Sequence, residues 1–192
     1  MRIAISVMQV VMFAATLAAA NAAMALDVAG VKIEERIQAS GRELALNGAG
    51  IRTRLFFKVY VAALYAEKPG KDAAALIAGP APRRIVLSML RELDADTFYG
   101  ALEEGLRNNT TDAERMALKP SLDALAAMMR SIGKVVPGDT VTLDFTAEGL
   151  AIAHNGTPRG KIADERIGPA VLKVWLGEKP ADEALKQALL GR

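Results

Sequence analysis

Arg52, Arg54, Lys58 and the phenol of Tyr60 gather anion-seeking groups into one short stretch of this 192-residue chain. A guanidinium is a planar fork that donates two parallel hydrogen bonds to a carboxylate, and a buried phenol can add a third donor. In extended chain, residues two apart share a face, so Arg52 and Arg54 can aim at one site while Thr53 points away. Beside apolar walls such a cluster would hold an amphiphile by its acid end. The alternative, that Arg52 and Arg54 are surface charges on a loop after the Gly48 and Gly50 punctuation, stays open on spacing alone.

The strand that would position these groups is the most regular in the chain. Over 55–65, one alternate set is Leu55, Phe57, Val59, Val61, Ala63 and Tyr65, apolar but for a phenol. The other set is Phe56, Lys58, Tyr60, Ala62 and Leu64, mixing apolar bulk with an ammonium and a phenol. That mixture fits the wall of a cleft. It equally fits an amphipathic strand whose Lys58 snorkels to water and whose Tyr60 hydroxyl finds a backbone carbonyl.

Other chemistries are poorly supplied. There is no cysteine, so thiolate catalysis, thiolate metal sites and disulfides are ruled out. The single histidine, His154, precludes a His-pair metal site and reads as a rim residue beside the hairpin signal Asn155-Gly156. Gly48-Ala49-Gly50 is followed by a strand, whereas a dinucleotide fingerprint needs a helix there. The neighbouring carboxylates Glu34-Glu35 and Glu103-Glu104 point in different directions and read as solvated faces. A formal net charge of +2 is too balanced for recognition of nucleic acid by bulk charge. Neither a cofactor nor a metal is expected.

Around the cluster, glycines at 30, 41, 48 and 50 punctuate strand-like sequence, with 44–48 read as a strand running into a turn. A short Ala-rich helix is predicted over 72–78 and a strand over 84–90 with Ile85, Leu87 and Met89 on one face. Asp94 or Asp96 caps a helix carrying Phe98, Ala101, Leu102, Gly105 and Leu106, and Thr111 to Glu114 form a capping box. Pro120 opens another helix, striped by Leu122, Leu125, Ala126, Met129 and Ile132 and stopped by Gly133. Val141, Leu143 and Phe145 alternate as a strand that pairs with 150–153 in a hairpin. Ile167, Val171, Leu172 and Trp175 then recur at helical spacing, and Pro180 precedes a last amphipathic turn ending in Leu189-Leu190. Strands, helices, hairpin, helices is the order of an α+β fold with helices on one face of an antiparallel sheet.

The N-terminus has a short positive n-region in Met1-Arg2, an apolar run over 3–20 and a small-x-small site at Ala23-Met24-Ala25. Residues 1–25 are therefore expected to be a cleavable signal peptide and 26–192 one domain, working in the periplasm or outside the cell. No stable membrane span is expected after cleavage.

Leu46-Asn47-Gly48-Ala49-Gly50-Ile51-Arg52, followed by Phe57-Lys58-Val59-Tyr60-Val61-Ala62-Ala63-Leu64-Tyr65, resembles the chalcone isomerase-like family. Val174-Trp175-Leu176-Gly177, Pro180 and the closing Leu189-Leu190-Gly191 resemble its bacterial exported branch. The resemblance implies an open-faced β-sandwich: a large antiparallel sheet covered on one side by helices, with a ligand cleft between them. It makes Arg52 the cationic anchor, puts Tyr60 where the enzymes have a catalytic threonine and fatty-acid binders a tyrosine, and matches Tyr99 to the tyrosine opening the helix over the cleft. Leu106 and Gly168 replace polar groups of the enzymes. The expected partner is thus a small amphiphilic or hydrophobic ligand, a fatty acid or similar carboxylate, held without catalysis. An isomerase of the intramolecular lyase type is the alternative, and an envelope adaptor without a small ligand is the third reading.

Overall fold

The computed structural model describes residues 26–80 and 82–192; the expected leader, 1–25, lies outside the described residues. Strands β1 (Leu26–Val28) and β2 (Val31–Ile33) form a hairpin of their own. Strands β3 (Arg36–Ala39), β4 (Arg42–Arg54), β5 (Phe57–Ala66), β6 (Arg83–Met89), β7 (Thr140–Thr146), β8 (Gly149–His154) and β9 (Thr157–Ile162) make a seven-stranded antiparallel sheet in chain order. Helix α1 (Ala73–Ala78) links β5 to β6, and α2 (Ala95–Asn109), α3 (Asp112–Ala117) and α4 (Lys119–Ile132) lie between β6 and β7. Helices α5 (Ile167–Leu176) and α6 (Glu183–Leu189) follow the sheet. This is the expected α+β open-faced β-sandwich.

Local chemistry sets the helix starts. The Asp72, Asp94 and Asp182 carboxylates accept hydrogen bonds from the first-turn amides of α1, α2 and α6, and Thr111 and Glu114 close a reciprocal capping box on α3. Buried faces follow the pattern. In β7, Val141, Leu143 and Phe145 are buried and alternate with half-buried neighbours. The main core forms where Ala62, Leu64, Ile85, Leu87, Leu143 and Ile152 of the sheet meet Phe98, Leu102 and Leu106 of α2, Leu125 and Met129 of α4, and Val171 and Trp175 of α5. The opposite face of β5 is covered as well: Val61, Ala63 and Tyr65 pack with Leu44 and Ile33, under the β1–β2 hairpin. Burial on both faces explains why β5 is almost continuously apolar.

Three expectations need correcting. Gly48 and Gly50 do not turn the chain, because β4 runs unbroken through both. They are seats for α6: a Cβ on Gly48 would lie 2.1 Å from the carbonyl oxygen of Ala188, and one on Gly50 would lie 2.6 Å from the Ala188 Cβ. Second, the sheet does not end with the strand over 150–153: Asn155-Gly156, both at positive φ, form the hairpin turn that their types signal, and it leads into a further strand, β9, whose Pro158 is tolerated at a sheet edge. Third, His154 is no rim residue. Its side chain is only 11% exposed, with Nε2 3.2 Å from the Asp139 carboxylate. Arg159 donates to Nδ1 at 3.1 Å, so the ring proton sits on Nε2, facing Asp139. Among the described residues no helix is long and apolar enough to cross a membrane, and no group of three or more His, Asp or Glu side chains is placed to hold a metal ion.

Candidate functional site

The site is built at one end of the β4–β5 hairpin. Arg54 pairs with Phe57 across a two-residue turn at Leu55 and Phe56, and Arg52 pairs with Tyr60. Between these pairs Thr53 faces Lys58, which leaves Val59 as an extra residue in β5, a β-bulge. The bulge shifts the alternation by one. Beyond it Tyr60, Ala62 and Leu64 face the helices; before it Phe57 takes that side and Lys58 the other. Directly paired residues share a face, so Arg52 and Arg54 follow Tyr60 and Phe57 toward the helix layer.

A cleft of about 230 Å³ opens there, between the sheet and helices α2, α4 and α5. That is many times the space one water needs. Its walls are apolar: Val59, Leu87 and Leu143 from the sheet, Phe98, Ala101 and Leu102 from α2, Met129 from α4, Val174 and Trp175 from α5. Polar groups gather on one side, where Arg52, Arg54, Arg91, Glu92 and Thr97 join the lining. Arg36, Arg42, Arg84, Arg115, Arg130 and Arg166 are all paired with carboxylates. Among the described residues none lies within salt-bridge reach of Arg52, Arg54 or Arg91. The Arg91 guanidinium instead sits 4.4 Å over the Phe57 ring.

Tyr60 is a buried member of the lining. Its hydroxyl oxygen accepts a hydrogen bond from Trp175 Nε1 at 3.0 Å, and both side chains are buried. Burial raises the phenol's pKa, opposed by the Arg52 charge and the Trp175 hydrogen bond. The hydroxyl therefore keeps its proton at neutral pH. With the oxygen accepting from Trp175, the hydroxyl proton remains available to an acceptor that enters the cleft. Asp182 fixes the surroundings: it caps α6 through the Leu185 amide and accepts from the Thr53 amide, each at 3.0 Å, tying α6 to the strand segment beside Arg52.

Of the residues expected from sequence, the fold brings together Arg52, Arg54 and Tyr60 and leaves two elsewhere. Lys58 is exposed on the far side of the bulge. Tyr99 is buried in α2 under the Arg130 guanidinium, 5.1 Å from its ring, while the neighbouring Phe98 lines the cleft. Leu106 and Gly168 are buried but do not reach the cleft. Arg91 and the Trp175 indole were missed. In the sequence Trp175 belongs to a helix stripe and to the Val174-Trp175-Leu176-Gly177 motif, neither of which points its indole at Tyr60, and Arg91 carries no pattern that marks it.

The chalcone isomerase-like family profile matches residues 25–191. The chain belongs to the chalcone isomerase-like family. No curated protein sequence matches it. Among solved structures, a fatty-acid binding protein of Arabidopsis thaliana superposes with a TM-score of 0.66 at 16% identity, covering 84% of this chain and 92% of that one. That likeness establishes the chalcone isomerase-like fold shared by the two proteins.

Proposed function

We propose that this chalcone isomerase-like protein binds a fatty acid or a similar amphiphilic carboxylate, with its acid group between Arg52 and Tyr60 and its tail along the apolar wall. One observation carries the reading: Arg52, with no carboxylate partner among the described residues, stands beside a buried hydroxyl that keeps its proton, in an otherwise apolar cleft. A headgroup there receives a charge-assisted fork from Arg52 and a hydrogen bond from Tyr60. The fold shared with a fatty-acid binding protein supports it. The residues lining the cleft include no histidine, and a phenol that holds its proton serves as donor rather than base.

Calorimetry or native mass spectrometry of the delipidated protein with medium- and long-chain fatty acids tests the proposal. Uptake at micromolar levels is expected. Arg52→Ala should weaken binding by about 2–5 kcal/mol, the scale of truncating one partner of a desolvated charge pair. Arg54→Ala should cost much less, its side chain being exposed, and Lys58→Ala nothing. Absence of uptake by the wild type sinks the proposal, and equal small losses at Arg52 and Lys58 would show that the cleft binds through apolar contact alone.

A further inference from the structure

We propose that the apex of the β4–β5 hairpin is a docking tip for an anionic lipid surface. Leu55, Phe56 and Phe57 are 82%, 94% and 56% exposed, one after another at the apex. Among the described residues the other large exposed apolar side chains, Leu26, Met116 and Val136, stand apart from one another in sequence, as such residues ordinarily do. Leu55 also adopts φ 57°, the left-handed region where two-residue hairpin turns favour Asn, Asp or Gly. A leucine at that position is costly to the turn and presents a large apolar side chain to solvent, so the turn alone does not account for it.

The apex wears a basic collar. Arg52, Arg54 and Lys58 flank it, and no acidic residue occurs between Glu43 and Glu67. Arg54 pairs with Phe57 and Lys58 with Thr53, consecutive pairs that face opposite sides of the hairpin, so cations border the apolar tip on both faces. Arg91, stacked on Phe57, adds a further charge. The carboxylates in the vicinity are engaged: Glu92 pairs with Lys134 and Asp182 caps α6.

Apolar and aromatic side chains that enter the headgroup and acyl boundary, rimmed by Lys and Arg, are the pattern by which a protein lies on an anionic bilayer. Three side chains at a hairpin apex are too few for a stable protein interface, which buries about 1,200–2,000 Å². A bilayer needs no such area, since it closes around whatever enters it. Leu55 and Phe57 also line the cleft, so docking by this tip sets the polar side of the cleft against the membrane.

The inference goes beyond ligand binding and is tested without a ligand. In the full chain, Phe56→Trp places a reporter at the apex; the one native tryptophan, Trp175, is buried and supplies a constant background. Vesicles of phosphatidylcholine with phosphatidylglycerol should shift the apex emission to the blue and make it quenchable by brominated acyl chains, and pure phosphatidylcholine should do so far more weakly. Glu148→Trp, in the β7–β8 turn at the other end of the sheet, should not respond. Lys58→Glu in the Phe56→Trp background should raise the vesicle concentration for half the change by roughly tenfold or more, at about fivefold per surface charge. Fatty-acid uptake in solution should be unaltered by that charge reversal, which keeps the two proposals separable. No shift on anionic vesicles, an equal shift on neutral ones, or an equal response at Glu148→Trp overturns the inference. So does a shift that grows with protein concentration without vesicles, because it assigns the tip to a second copy of the chain.

Discussion

The hydrogen bond from Trp175 to Tyr60 links the stability of the core to the chemistry of the cleft. Tyr60→Phe should act on both. In the free protein it strands the buried indole N–H without its acceptor, an expected loss of about 1–3 kcal/mol in denaturant unfolding. In the complex it removes a donor to a carboxylate, a bond worth about 1.5–3 kcal/mol. Adding Trp175→Phe should recover part of the stability, since both polar partners are then gone, and a double-mutant cycle measures the coupling. Unfolding and affinity both unchanged by Tyr60→Phe would make the hydroxyl a bystander. At this scale the sequence shows which anion-seeking residue types are present but not where each is aimed. Arg52, Arg54 and Tyr60 were visible as a cluster, whereas Lys58 was counted with them because strict alternation put it on Tyr60's face. One extra residue at Val59 reverses that, and nothing in a run of apolar side chains marks where a bulge will fall.

Among the elements, α6 depends most on absent side chains. Its carbonyls and Ala188 press on Gly48 and Gly50, and the Asn47 amide donates to the Leu189 carbonyl at 2.6 Å. Gly48→Ala puts a methyl where the Ala188 and Leu189 carbonyl oxygens lie, and backbone cannot swing aside as a side-chain tip can. An overpacking cost of about 1–3 kcal/mol follows, read as a lower Tm. Gly70→Ala is the control, with nothing within 4 Å of its added Cβ, and it should be neutral or slightly stabilising. Equal melting of the two variants would mean that α6 is not seated on β4 as described. Glycines set into a strand read as turns because the contact that requires them comes from the other end of the chain. Caps, by contrast, lie within one helical turn of what they serve, and Asp94 and the Thr111–Glu114 box were legible for that reason. Strand β9 was overlooked because Pro158 and Gly160 argue against a strand anywhere but an edge.

Across the whole molecule the architecture was readable because it rests on patterns repeated over many residues: β7 alternates, α2 and α4 each bury one stripe, and their order along the chain permits little but a sheet with helices on one face. The two-sided burial of β5 leaves a signature that titration can reach. The chain has three tyrosines, Tyr60, Tyr65 and Tyr99, and all are buried. Burial is the first cause that raises each phenol, with Glu34 adding to Tyr65, which is pushed up to about 12, and Glu103 adding to Tyr99. Because the folded pKa values exceed the unfolded value of about 10, the unfolded chain releases protons first as pH rises. The stability carried by these neutral phenols is therefore complete below about pH 10 and drains away above it, toward the folded values. Near-ultraviolet absorbance should accordingly show little tyrosinate at pH 10, where a free phenol is half ionised, and its appearance should coincide with loss of the near-ultraviolet dichroism. A phenol ionising with an ordinary midpoint while the dichroism persists would place that tyrosine in water, and if it proved to be Tyr60, the buried hydroxyl beside Arg52 would have to be abandoned.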